Sequence, residues 1–459
     1  MDNALHPRLG GPMGRHARKR GFWFGPAPAV AFTAAALFTL LFLRHVPCLQ
    51  SYDDNPINAY IRICYSDIQT TYLSQGFGEG VSPLGADYMA FPPLVAVAVL
   101  LTRQLASGLF GAQVAPGVDL QTQIDSSLAF FALTTVGLFF CFLVACLTLA
   151  YLGRRRDGRL SWDAMLLAAS PVVFASGLIS WEFLPIALSL LGLLQFAQRR
   201  TIEGGILIGI AACAGTMPIA IALAVVVASG LRAGRRAALR FAVPAVVTFA
   251  LVHLPLLIDN FDRVYGFYHQ EINKPTGYGS LWYFLSLIGV NVRDAGSLGF
   301  MLLMIFLGVL IAYLYVSGRR PRVGSLIAVV VFATALLGPA YPPQTGLWLL
   351  VALILSRPYR RELIAFTVTE VGYYLAIWGW LGGALTTNQS GPYLLYWLAI
   401  LARSAVHLWI VIASLRDCLD PVRDPMRSPD VPDPIGGALN TAEVLPPTGE
   451  PLATSPAPA

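Results

Sequence analysis

A polar loop follows the first membrane-length apolar run of this chain, and it contains Cys64-Tyr65-Ser66-Asp67. A long series of further apolar runs comes after it. A carboxylate held near a bilayer surface is placed to take a proton from a hydroxyl there, so Asp67 is the leading candidate for a general base. The stretch Asp67-Ile-Gln-Thr-Thr-Tyr-Leu-Ser also reads as a helix start, where an aspartate can serve as a cap instead. Both readings stay open on the sequence. The same loop carries Asp53, Asp54, Arg62, Glu79 and Asp87, which a solvated loop also explains. Cys48 and Cys64 flank it and form a disulfide in an oxidising compartment or stay as two thiols.

Other candidates sit on later outward-facing segments or inside apolar runs. The segment Asp259–Asp294 holds His269, Glu271 and Lys274, then Tyr278-Gly279-Ser280-Leu281-Trp282-Tyr283. Those aromatics read as interfacial anchors or as a surface on which sugars stack. Glu182 follows Trp181 at an outer turn, and Glu370 falls inside an apolar run. Arg403 and His407 are four apart, hence on one helical face. Ionisable groups at membrane depth are costly and tend to be functional. A Glu370–Arg403 ion pair and a phosphate-binding Arg403 are the two alternatives. The six histidines are scattered and no C-x-x-C occurs, so no metal site is expected and no cofactor is called for.

The elements that must position these groups are membrane helices. Of 459 residues, 56% are apolar and only 12% charged, with mean hydropathy +0.64. A soluble domain carries about 25% charged residues, so the expected class is an all-α, polytopic integral membrane protein. The net charge of +6 does not point to nucleic acid. Except for Lys19 and Lys274 the basic residues are arginines, and most cluster in short connections: 154–159, 199–200, 232–240, 319–322 and 357–361. This is the positive-inside pattern, which makes those connections and the basic segment 1–27 cytoplasmic.

Crossings are expected near 28–43, 128–152, 162–179, 183–198, 241–258, 296–316, 323–338, 346–356, 363–381 and 393–415. Charge parity makes 91–109 a re-entrant or interfacial helix. It also makes 204–231 a hairpin of two half-helices bent near Gly215–Pro218. About twelve crossings result, in a transmembrane domain over 28–416 with its first outer loop at about 44–127. The segment 417–459 is then a cytoplasmic, Pro-rich tail, disordered from about Pro429. With both termini cytoplasmic, the chain is a multi-pass protein of the plasma membrane.

Cys64-Tyr65-Ser66-Asp67-Ile68, Trp181-Glu182-Phe183-Leu184-Pro185, Gly279-Ser280-Leu281-Trp282-Tyr283 and Pro343-Gln344-Thr345-Gly346-Leu347-Trp348 occur in this order. With the run containing Glu370 and the closing Arg416-Asp417…Asp424-Pro425, they resemble actinobacterial membrane proteins of the glycosyltransferase 87 type. The resemblance spans about residues 40–430. It implies a GT-C fold and an inverting transfer of a hexose, commonly mannose, from a polyprenyl-phosphate donor. The acceptor is a cell-envelope glycan or glycolipid at the outer face of the membrane. Asp67 matches the base of that family. Arg62, Tyr65, Glu182, Lys274, Trp282, Gln344 and Arg403 are the candidate donor and acceptor contacts. The chain departs from the family pattern at Ala90-Phe91-Pro92, Gly215-Thr216-Met217-Pro218 and Gly338–Thr345, where relatives carry an acid and two lysines. Arg62, Arg103, Lys274 and Arg403 are left to hold a phosphate. The rival readings are a catalytically silent scaffold of the same fold and a lipid or solute transporter, the latter on account of the broken hairpin.

Overall fold

The computed structural model describes residues 25–52, 54, 56–85, 89–153, 160–385, 394–420, 424, 426 and 433–442. Among these the chain is helical throughout, without a β-strand. In order, the helices are α1 Pro26–Leu49, α2 Asp67–Ser74, α3 Pro93–Phe110, α4 Leu120–Leu152, α5 Met165–Ala168, α6 Pro171–Ser176, α7 Phe183–Ala197, α8 Thr201–Ala212, α9 Met217–Ala233, α10 Arg235–Asp259, α11 Phe261–Ile272, α12 Leu281–Leu287, α13 Ala295–Val316, α14 Val323–Leu337, α15 Thr345–Ser356, α16 Arg360–Leu381 and α17 Leu394–Leu419.

Six of them are long and apolar enough to cross a membrane: α1, α3, α4, α10, α13 and α17. Shorter apolar helices fill the space between, so the protein is an all-helical, membrane-embedded one. Helices suit this setting because every backbone donor and acceptor within the segment is paired internally. Their starts are written locally. Pro26, Pro93 and Pro171 open α1, α3 and α6, where a missing N–H costs nothing. Asp119, Asn260 and Ser280 cap α4, α11 and α12 with their side chains. The segment 91–109, expected on charge parity to be a re-entrant or interfacial helix, forms the 18-residue α3 and meets the length and composition of a span.

The predicted break in 204–231 is present. Helix α8 stops at Ala212 and α9 starts at Met217, with Pro218 in its first turn. The start of α8 and the end of α9 lie at one end of the bundle. A C-terminal segment marks that end: Gly437 packs against the carbonyl of Phe196, while Arg232 lies 3.5 Å from Asp433. Arg322 belongs to the same end. It is wholly buried and holds Asp424 at 3.0 Å and Asp433 at 3.6 Å. Ile435 and Leu439 are buried with them. A tail without structure from about Pro429 is therefore not what residues 433–442 form; 443–459 lie outside the described residues. The sequence reading missed this because two buried apolar side chains in a Pro- and Asp-rich stretch make no periodic pattern.

The opposite end is organised by a buried ion pair between α16 and α17. Arg403 Nε donates to Glu370 Oε1 at 2.7 Å and Nη2 to Oε2 at 3.1 Å. Its remaining donors reach the carbonyls of Tyr341 at 2.6 Å and Pro342 at 3.3 Å. The guanidinium lies 3.8 Å from the Tyr341 ring centre and 4.3 Å from that of Tyr373. Gly346 makes room for this: a Cβ there would sit 2.2 Å from a carboxylate oxygen of Glu370. The 341–342 carbonyls tie the pair to the α14–α15 connection, which carries Gln344. Removing Glu370 leaves Arg403 an unpaired buried charge, so Glu370→Leu is expected to cost about 3–5 kcal/mol. Arg403→Leu with Glu370→Leu should regain most of it. Thermal unfolding in nanodiscs checks this, and equal midpoints for the single and double variants would count against it.

Candidate functional site

Asp67 is the first residue of α2, and its backbone is pinned from two sides. Its N–H donates to the carbonyl of Ile179 at 2.7 Å. The preceding Ser66 is the helix cap: its hydroxyl accepts from the Ile68 N–H at 3.2 Å and donates to the Leu178 carbonyl at 2.6 Å. The cap reading of Asp67 is thus overturned, because Ser66 fills that place and leaves the Asp67 carboxylate unused by the helix. That carboxylate accepts instead from Gln344 Nε2 at 3.3 Å and from the Tyr65 hydroxyl. Burial pushes its pKa up to about 6, with the Tyr65 hydrogen bond opposing the rise.

Asp67 lines a cavity of about 750 Å³, within the size range of small-molecule sites. Most of its wall is apolar, built from helices α3, α9, α13 and α14 through residues such as Val95, Leu223, Leu303 and Val330. Its polar part is made by Asp67, Thr71, Ser180, Glu182, Tyr268, Glu271 and Lys274. Glu182 lies in the turn between α6 and α7 and accepts from Trp348 Nε1 at 2.6 Å. Burial raises its pKa, and the Trp348 hydrogen bond offsets part of this. Lys274 Nζ lies 2.6 Å from Glu271 Oε1.

The cavity sorts the sequence candidates. Asp67, Glu182 and Lys274 line it; Gln344 and Tyr65 touch Asp67 from behind. Tyr65 stacks on Tyr60 with ring centres 5.2 Å apart and packs on Trp378 at 5.0 Å. Three other candidates are not brought to the cavity. Arg62 is exposed on the loop before α2. Trp282 points its Nε1 to the Leu337 carbonyl at 3.0 Å, behind the wall. Arg403 is spent on Glu370, since a bidentate partner at membrane depth outweighs any distant anion. Arg103 is also elsewhere, donating to the Val81 carbonyl at 2.6 Å. Lys274 is thus the only basic residue lining the cavity among the described residues.

The aromatics Tyr278 and Tyr283 pack edge-on against Trp380 with ring centres 5.7 and 6.3 Å away and do not line the cavity. Sequence reasoning missed Thr71, Ser180 and Tyr268. Tyr268 had a usable signal, since it precedes Glu271 by one helical turn. Among the described residues no cluster of His, Cys, Asp or Glu could hold a metal ion. Comparison of the chain with protein-family models, curated proteins and solved structures gives no match.

Cys48 and Cys64 form a disulfide, 16 residues apart, that ties the end of α1 to the chain just ahead of Asp67. Beside it, Gln69 Nε2 donates to the Cys48 carbonyl at 3.3 Å, so the bridge and α2 brace one another. A bridge closing a loop of this size stabilises by about 3 kcal/mol in the chain-entropy description. Cys48→Ser with Cys64→Ser is expected to lower the unfolding midpoint, and a reducing agent should do the same to the unsubstituted protein. No response of that protein to reduction would show that the bridge does not contribute.

Proposed function

We propose that this chain is a membrane glycosyltransferase that moves a hexose, mannose as the first choice, from a polyprenyl-phosphate donor to a hydroxyl of a cell-envelope glycan or glycolipid. The observation that carries the reading is the pairing of one desolvated carboxylate, Asp67, with a largely apolar cavity whose sole basic residue, among the described residues, is Lys274. Such a cavity fits an amphiphile: a lipid tail along α9, α13 and α14, and a polar head beside Asp67. The resemblance of the motifs around Asp67, Glu182 and Gln344 points the same way. The arginine clusters support a reading in which the Arg232 and Arg322 end is cytoplasmic and the cavity opens to the outer leaflet.

In the reaction, Asp67 takes the proton of the acceptor hydroxyl as that oxygen attacks the anomeric carbon. The bond from this carbon to the phosphate oxygen breaks, and its electron pair leaves with polyprenyl phosphate. The product is a glycoside of inverted configuration, and the proton passes from Asp67 to water. Gln344 and Tyr65 orient the carboxylate by hydrogen bonds. Lys274 balances the charge of the departing phosphate. A lipid phosphate leaves without protonation, so a single carboxylate suffices. The scarcity of cations in the cavity favours a second reading, a catalytically silent scaffold of the same fold.

Transfer of label from polyprenyl-phosphate mannose in membranes tests both. Asp67→Asn is expected to lower transfer by about a hundredfold or more, as for loss of a general base. Because the base acts deprotonated and its pKa is near 6, transfer should fall as the pH drops through about 6 and stay flat above it. The stability sign is opposite. A buried carboxyl with a raised pKa contributes most below about 4 and loses that contribution as the pH rises through the folded value. Asp67→Asn should therefore be no less stable than the unsubstituted protein at neutral pH. Full transfer by a folded Asp67→Asn protein would sink the catalytic reading; no transfer by either protein would favour the scaffold.

A further inference from the structure

Two buried or half-buried groups near the cavity have no part in the chemistry above: His253 near the outer end of α10, and Tyr268 on α11. His253 Nδ1 lies 2.8 Å from the carbonyl oxygen of Phe249. A carbonyl can only accept, so Nδ1 carries the ring proton. The other polar contacts of the ring among the described residues are a phenol and a thiol, the latter being Cys213 Sγ, 3.9 Å from Nδ1. With no anion among these contacts, a charged imidazolium would be an unpaired buried cation, and the ring is neutral. Its Nε2 therefore offers only a lone pair, and it faces the Tyr268 hydroxyl at 2.7 Å. Tyr268 must donate its single proton to His253.

The consequence lies on the cavity side. Tyr268 lines the cavity, and with its proton spent, its oxygen has only lone pairs to offer. Glu271 follows one helical turn later on the same face of α11 and lines the cavity as well. Two acceptors a turn apart, with Lys274 just beyond, make a wall that attracts O–H donors and repels phosphate until the cation is reached. Resting on the glycosyltransferase reading, we infer that Tyr268, its proton held by His253, accepts a hydrogen bond from a hydroxyl of the donor sugar and sets the sugar along α11 with its phosphate toward Lys274. His253 is a positioning residue: it fixes the polarity of Tyr268 without touching the ligand.

The test is equilibrium binding of two lipids, polyprenyl-phosphate mannose and sugar-free polyprenyl phosphate, to the full-length protein in nanodiscs. Tyr268→Phe is expected to weaken binding of the mannose lipid by about five- to tenfold, the range of one lost hydrogen bond, and to leave the sugar-free lipid unchanged. His253→Leu frees the tyrosine proton, so it should weaken the mannose lipid similarly and strengthen the sugar-free one. His253→Gln, whose side-chain carbonyl accepts the same proton, should restore the original preference. The inference fails if Tyr268→Phe binds the mannose lipid normally, or if it weakens both lipids alike, while the unsubstituted protein still prefers the mannose lipid. An unsubstituted protein that binds neither lipid overturns the donor reading and the inference with it.

Discussion

The Arg403–Glu370 pair is the constraint from which the cavity-bearing half of this protein is built. A guanidinium at membrane depth needs its donors answered, and here the answers come from two separate pieces of chain. Glu370 supplies two oxygens, and the backbone at Tyr341 and Pro342 supplies the rest. Two rings close over the faces of the cation. Because carbonyls of the α14–α15 connection are bound in this way, Gln344 and Trp348 just beyond it take fixed positions. Those two side chains then hold the carboxylates of Asp67 and Glu182. A structural ion pair thus sets the geometry of groups it does not touch.

The cavity has an unusual charge balance for a site proposed to hold a phosphate. Asp67, Glu182 and Glu271 face a single lysine, and Lys274 is already beside Glu271 at 2.6 Å. Burial raises the pKa of Asp67 and of Glu182, and the Asp67 charge adds to the rise at Glu182. The arrangement tolerates one monoanionic head group and disfavours a polyanion. It agrees with the proposed lipid monophosphate sugar donor.

At the other end, charge works as a clasp. Arg322, with Arg232 beside it, gathers Asp424 and Asp433 from a stretch that follows the last helix, and Ile435 and Leu439 seal the contact. Ser325 adds a hydrogen bond to Asp424 at 2.8 Å. The C-terminal segment thereby bridges α7, α9 and α14, which lie far apart in the chain.

Much was legible from the sequence. Hydropathy determined the helical membrane class, because a backbone in lipid has few ways to satisfy its polar groups. Gly215–Pro218 marked where the hairpin breaks, since such a signal acts within a turn of the residues that send it. The polar loop after the first span, with Asp67, was visible for the same local reason. The tertiary structure alone decided which charges are free to act. Arg403, Arg62 and Lys274 are equivalent cations on paper; one is locked in an ion pair, one is exposed, and one faces the cavity. Ser66 rather than Asp67 caps α2, which a string of adjacent polar residues does not reveal. Gln344 meets Asp67 across 277 residues of chain, and His253 meets Tyr268 only because α10 and α11 fold back on each other. Pairings of this kind depend on burial and on the partner's approach, and neither is a property of a local stretch of sequence.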